Sequence, residues 1–128
     1  MYPVSSRNLV LVVEDEPVIL IDISEQLRDA GFDVLEASNA DQAIVHLKNN
    51  PAIRLVFTDI DMPGSMDGLK LAAAVRDRWP PVKIIITSGR HKMLDGELPE
   101  GCLFASKPYA HADIFASMNR LLGISSTI

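Results

Sequence analysis

Cysteine is almost missing from this sequence, which holds only Cys102. An internal disulfide is therefore impossible, which is compatible with a protein of the cytosol. Long hydrophobic runs are missing as well, because none approaches the roughly 20 apolar residues that a membrane-spanning helix needs. The apolar run 9–13 is too short for the hydrophobic region of a signal sequence, and acidic residues end it. We therefore expect a cytoplasmic protein without a membrane partner.

Clusters of positive charge are also missing. The 12 Lys and Arg residues are scattered among 17 Asp and Glu residues, which gives a net charge of −5 and a pI near 5.0. A nucleic-acid surface needs clustered basic residues, so we expect no direct binding to nucleic acid. The acidic balance suits a site that binds cations.

The length of 128 residues suits a single domain, spanning 1–128, with one core. Short apolar runs alternate with helical patterns, which is typical of an α/β fold with a doubly wound parallel sheet. The five predicted strands cover residues 8–13, 33–37, 54–58, 82–87 and 103–105. The charged strand 33–37 favours an edge position, and the strongly apolar strand 82–87 favours a central one.

The helices are predicted from apolar residues that recur at helical spacing. The first helix begins near Pro17 and stops at Gly31, and Asn39 caps the second. A third precedes the strand 82–87, and a last one follows the fifth strand. Glycine and proline crowd the segment 89–101 and leave room for one helical turn at most, so the fourth crossover helix of the fold is reduced.

Polar residues follow four of the five predicted strands at their carboxyl ends. Glu14 and Asp15 follow the first strand, Asp59 the third, Ser88 the fourth and Lys107 the fifth. Ligands of open parallel sheets bind outside those ends, so we expect these side chains to meet in space.

The types of these residues indicate which chemistry they can perform when they lie close together. Carboxylates repel by about 1 kcal/mol per pair at 4 Å in water, so a cluster of three needs a cation. Mg2+ prefers carboxylate and carbonyl oxygens and commonly joins carboxylates to phosphate. Lys107 can reach a phosphoryl oxygen, Ser88 offers a hydroxyl donor, and Asp59 can form an acyl phosphate as the nucleophile. Together these groups predict phosphoryl transfer.

Five sequence runs, taken in order, resemble the receiver domain of two-component response regulators. They are VVEDE (12–16), FTDIDMPG (57–64), DGL (67–69), IIITSG (84–89) and SKPY (106–109). The resemblance covers nearly the whole chain and implies a flavodoxin-like sheet with strand order 2-1-3-4-5. It also implies phosphorylation by a sensor histidine kinase or a histidine phosphotransfer protein, with Mg2+ as the cofactor.

The resemblance assigns four positions to the phosphoryl and metal site. Asp59 matches the phosphoacceptor, which also contacts the metal. Asp15 matches the direct metal ligand, and Glu14 the neighbouring acid that usually acts through water. The backbone carbonyl of Asp61 matches the third protein contact to the metal.

Further positions match the groups that sense the phosphoryl group. Lys107 matches the invariant lysine of the family, and the peptide bond that joins it to Pro108 is typically cis. Ser88 matches the switch hydroxyl, with Gly89 at the small position beside it. Phe104 matches the aromatic residue whose rotation reports phosphorylation.

Each of these residues also has a plainer interpretation. The pair Glu14-Asp15 could be solvated surface charge, and Asp59 could form a turn. Ser88 could cap the turn after its strand, and Phe104 could be an ordinary core residue.

Three functions compete at this stage. The first is a phosphorylatable receiver, a signalling protein that assists its own phosphotransfer and dephosphorylation. The second is a haloacid-dehalogenase-like phosphatase, although that family carries its DxD motif on the first strand. The third is an interaction module that takes no phosphate. Because only residues 124–128 follow the last predicted helix, we expect any signal to pass through an unidentified partner protein.

Overall fold

The computed structural model describes residues 8–62, 64, 66–89, 99 and 101–123. Within this part of the chain there are five strands and four helices, which alternate as far as the fourth strand. The strands are β1 (Leu9–Val13), β2 (Asp33–Ala37), β3 (Leu55–Asp59), β4 (Lys83–Ser88) and β5 (Cys102–Ser106). The helices are α1 (Pro17–Asp29), α2 (Ala40–Asn49), α3 (Gly68–Arg78) and α4 (His111–Leu122).

The five strands form one parallel sheet in the order β2-β1-β3-β4-β5. This confirms the predicted α/β fold, its strand order and the edge position of β2. The strand predicted at 82–87 lies inside the sheet rather than at its edge, because β4 has β3 on one side and β5 on the other. Like β3, it is almost fully buried.

Side chains that alternate along each strand build a core on each face of the sheet. Leu11, Val56 and Ile84 pack with α2 and α3 on one face. Val12 and Phe57 pack with α1 and α4 on the other. Apolar runs of this kind are expected for parallel strands covered by helices on both sides.

The helix boundaries follow the capping signals of the sequence. Pro17 lies in the first turn of α1, and the Asn39 side chain accepts a hydrogen bond of 2.8 Å from the backbone N–H of Gln42 at the start of α2. Gly123 ends α4 in a left-handed conformation with φ of 70°. The predicted reduced helix at 89–101 falls mainly on residues outside the described part of the chain. Among the described residues, no helix is long and apolar enough to span a bilayer.

Three strands, β3, β4 and β5, end one residue later than the sequence predicts. Asp59 pairs with Thr87 as the last residue of β3, and Ser88 pairs with Ser106 as the last residue of β4. The sequence boundary was misplaced because a polar residue was taken to end each apolar run. Both side chains are therefore held on regular strand backbone.

Gly68 allows α3 to begin directly against the end of β3. Its backbone N–H donates to the Ile60 carbonyl at 3.0 Å, and an added Cβ would overlap the backbone carbonyl of Asp59. The backbone of β3 cannot yield there without moving Asp59 itself. Gly68 therefore belongs to the framework that positions the strand end.

We predict that Gly68→Ala destabilises the protein by about 1–3 kcal/mol, because the new methyl group meets backbone. Helix propensity alone would make the same change stabilising. Chemical denaturation measures the difference. Ala73→Gly, at an exposed position of the same helix, is the control and should cost about 1 kcal/mol through propensity alone. A Gly68→Ala variant more stable than the parent would contradict the close approach.

Candidate functional site

The ends of three strands are fixed by hydrogen bonds that continue the sheet by one residue. The backbone N–H of Glu14 donates to the Ala37 carbonyl at 3.0 Å, and that of Lys107 donates to the Ser88 carbonyl at 2.9 Å. The N–H of Ile60 donates to the Thr87 carbonyl at 2.9 Å. The residues just past β1, β3 and β5 therefore share one well-defined edge of the sheet.

An ammonium–carboxylate contact forms the centre of this edge. The Lys107 Nζ atom donates a hydrogen bond to Asp59 Oδ2 at 2.9 Å and lies 3.8 Å from Glu14 Oε1. Asp59 and Glu14 are each only 6% exposed, whereas the Lys107 side chain is 27% exposed. Two buried carboxylates thus depend on one partly exposed cation for compensation.

Burial and the charges at this edge shift the pKa values of Glu14 and Lys107. Burial raises the pKa of Glu14 to about 7; the backbone N–H of Glu16 and the charge of Lys107 oppose the shift, and the charge of Asp59 adds to it. Burial alone would lower the pKa of Lys107, but its hydrogen bond and charge interaction with Asp59 raise it. The ammonium stays charged, and the site remains short of positive charge.

Three carboxylates at this edge converge on a volume suited to a metal ion. Glu14, Asp15 and Asp59 each offer one oxygen, and these oxygens lie within 4.8 Å of one another. Asp15 and Asp59 line a cavity of about 480 Å3, together with Asp61 and Lys107. The donors are hard oxygens with excess negative charge, which fit Mg2+ better than a soft transition metal.

The carboxylate of Asp59 is held at both of its oxygens. Oδ1 accepts a hydrogen bond of 3.2 Å from the backbone N–H of Asp61, and Oδ2 accepts the Lys107 bond. The Thr58 hydroxyl donates to the backbone carbonyl of Asp59 at 3.0 Å. A carboxylate oriented in this way is prepared for in-line chemistry at the cavity.

Sequence reasoning missed one side-chain contact. It assigned Asp61 through its backbone carbonyl alone, yet the Asp61 side chain accepts a hydrogen bond of 2.9 Å from the hydroxyl of Ser88, which is 1% exposed. A signal was present, because Ser88 lies one residue beyond Thr87, the register partner of Asp59. Asp61 lies two residues past Asp59 and Ser88 one residue past Thr87, so both reach the same edge of the sheet.

The remaining predicted positions lie close to this edge. The Lys107–Pro108 peptide bond is cis, as the resemblance implies. Gly89 lines the cavity, and a Cβ added there would lie 3.6 Å from the Lys107 Cβ atom. Phe104 pairs with Ile86 across β4 and β5 and packs, half buried, against the core that faces α2 and α3. Its rotation on phosphorylation stays a prediction.

The sequence matches a known family over most of its length. Residues 10–118 match the sequence model of the response regulator receiver domain. The transcriptional regulatory protein AruR of Pseudomonas aeruginosa is 41% identical over 90 residues, which cover 67% of this chain and 36% of AruR. The chain therefore spans about a third of the length of this curated relative.

Solved structures give the same result. A response regulator receiver protein from Sinorhizobium medicae superposes with a TM-score of 0.81 at 32% identity, covering 90% of this chain and 94% of the other. The response regulator TrrA of Thermotoga maritima, solved in complex with Mg2+-BeF, superposes with a TM-score of 0.76 at 25% identity. That match covers 89% of this chain and 98% of TrrA.

Charge repulsion at the cluster predicts that Asp15→Asn stabilises the metal-free protein. Asp15 adds a third negative charge that Lys107 does not contact, so its removal should contribute about 1 kcal/mol. Thermal melting in the presence of a chelator measures the gain, and the same variant should lose any stabilisation by Mg2+. Glu25→Gln, on an exposed face of α1, is the control for net charge. A lower melting temperature for Asp15→Asn without metal would count against the cluster.

The opposite sign is expected for Lys107→Met. Loss of the ammonium leaves Asp59 and Glu14 without their counter-charge, so the free energy of unfolding of the metal-free protein should fall by about 1 kcal/mol. The expected effect is no larger because solvent screens the partly exposed Lys107. Added Mg2+ should raise the melting temperature of this variant by more than it raises that of the parent. Lys70→Met, at an exposed position of α3, serves as the control. If Mg2+ raised the melting temperatures of Lys107→Met and the parent equally, Lys107 and the metal ion would not compensate the same carboxylate charges.

Proposed function

We propose, on the premise that this chain belongs to the response regulator receiver family, that it accepts a phosphoryl group on Asp59 and signals through a partner protein. Receiver domains of this family are signalling modules of two-component systems, and they accept phosphoryl groups from histidine kinases or phosphotransfer proteins. The observation that carries the proposal is the 2.9 Å contact between Lys107 and Asp59 at a cavity lined by further carboxylates.

In the proposed reaction, a carboxylate oxygen of Asp59 attacks the phosphorus atom of the donor. The bond between phosphorus and the donor's leaving group breaks, and that group keeps the electron pair. Lys107 then transfers its hydrogen bond from Asp59 to an oxygen of the bound phosphoryl group. Because the leaving group departs as the new bond forms, the main work of the protein is positioning and charge neutralisation.

A Mg2+ ion fits this proposal as the cofactor. Glu14, Asp15 and Asp59 would hold it through their carboxylates, and Asp61 through its backbone carbonyl. When bound, the ion neutralises negative charge on the phosphoryl oxygens. The donor chemistry of the cluster supports this assignment, as does the related TrrA, which was solved with Mg2+-BeF.

Ser88 and Phe104 form the switch in this proposal. A phosphoryl group adds about −1.5 to −2 charge at Asp59, and a buried hydroxyl donor beside it gains a new acceptor. Ser88, at 1% exposure, is such a donor. The output partner, the single domain over 1–128 and the cytoplasmic location stay predictions.

We predict that the parent incorporates phosphate from a small acyl-phosphate donor when Mg2+ is present and that Asp59→Asn does not. The amide cannot form an acyl phosphate by the same route, so phosphate-affinity electrophoresis or intact mass should show no product. Asp77→Asn, at an exposed position of α3, is the matched control and should label as the parent does.

Two results would contradict this assignment in different ways. Equal labelling of Asp59→Asn and the parent would move the phosphoacceptor to another residue. No labelling of the parent, together with no effect of Mg2+ on its stability, would favour an interaction module that takes no phosphate.

A further inference from the structure

The hydrogen bond between Ser88 and Asp61 has a defined direction. The Ser88 hydroxyl is the donor and a carboxylate oxygen of Asp61 is the acceptor across the 2.9 Å contact. A hydroxyl has a single proton to donate. While that proton points at Asp61, it is committed to this one acceptor.

The phosphoryl group of the proposed function needs the same proton. Its oxygens are acceptors only, as are those of Asp61, so the two acceptors compete for the Ser88 hydroxyl. The contact with Asp61 is charge-assisted and buried on the serine side, which makes it stronger than a neutral hydrogen bond. Phosphorylation must therefore break a favourable contact before it gains a new one.

We infer that the Asp61 side chain is a positioning residue, a latch that holds the Ser88 hydroxyl in the unphosphorylated protein and lowers the affinity of the pocket for a phosphoryl group. The inference rests on the proposed function. Asp61 acts in two ways: it occupies the proton of Ser88, and its charge lines the same cavity as Asp59 and repels an incoming anion.

The backbone around the latch allows it to open through side-chain rotation alone. Ser88 is fixed as the last residue of β4, and its carbonyl accepts the backbone N–H of Lys107 at 2.9 Å. Asp61 is tied to Asp59 through its own backbone N–H at 3.2 Å. Substitutions of the Asp61 side chain therefore leave in place the backbone carbonyl that is proposed to contact the metal.

Two substitutions separate the two effects of Asp61. Asp61→Asn removes the charge but keeps an oxygen that can accept from Ser88, whereas Asp61→Ala removes both. Each is made in the parent and in Ser88→Ala. The affinity of each protein for beryllofluoride, a phosphoryl mimic, is then measured by calorimetry at saturating Mg2+.

We expect Asp61→Ala to bind the mimic more tightly than Asp61→Asn by several-fold, up to about tenfold, when Ser88 is present. In the Ser88→Ala background, the two variants should bind nearly equally, because no hydroxyl remains to be released. Asp61→Asn introduces an amide group that could itself contact the mimic. Such a contact acts in both backgrounds, so it cancels when the affinity ratio of the two variants is compared between the backgrounds.

A second measurement needs no phosphoryl mimic. In metal-free protein, the changes in stability caused by Ser88→Ala and Asp61→Ala should not add, because each substitution removes the same hydrogen bond. Additive changes would overturn the latch.

The binding data distinguish failure of the latch from failure of the proposed function. If the parent binds the mimic and Asp59→Asn does not, yet the ratio between Asp61→Ala and Asp61→Asn is the same in both backgrounds, only the latch is overturned. If the parent does not bind the mimic, or Asp59→Asn binds it equally well, the proposed function fails and the latch fails with it.

Discussion

The contact between the Lys107 ammonium and the Asp59 carboxylate is the interaction on which the rest of the site depends. It places one partly exposed positive charge against two buried carboxylates, with a third acid beside them. Such an arrangement is under-compensated, since carboxylates in a region of low water content repel strongly. The fold thus carries electrostatic strain at the ends of β1, β3 and β5, which a bound cation would relieve. Under the proposed function, that cation would also offset the negative charge that a phosphoryl group adds to the pocket.

Much of the fold could be predicted from the sequence because each strand is an apolar run and each helix has an apolar stripe. The order of the strands came from the family resemblance, since burial alone does not rank β3 and β4: both have helices on each face. The exact strand ends were beyond sequence reasoning for a related reason. Asp59 and Ser88 are polar, yet each completes the hydrogen-bond ladder of its strand.

The sequence predicts which residues come together in the candidate site. It predicts less well which of their atoms form hydrogen bonds and ion pairs. Glu14, Asp15, Asp59 and Lys107 meet as expected because the carboxyl ends of parallel strands share an edge. The bond from Ser88 to the Asp61 side chain, and the approach of Gly68 to the Asp59 carbonyl, depend on rotamers and on sub-ångström register. A sequence motif does not specify either contact. These two contacts bear directly on the shape of the pocket.

The convergence of distant acids on one cation site is the central claim, and substitution of Mn2+ for Mg2+ tests it most directly. Mn2+ is paramagnetic and binds the same hard oxygen ligands, so it broadens the amide NMR signals of residues close to it. Substoichiometric Mn2+ is expected to erase the signals of Asp15, Asp59 and Asp61 first and to leave those of Arg28 and Lys48 intact. Uniform broadening, or earliest loss at a surface remote from these strand ends, would contradict it.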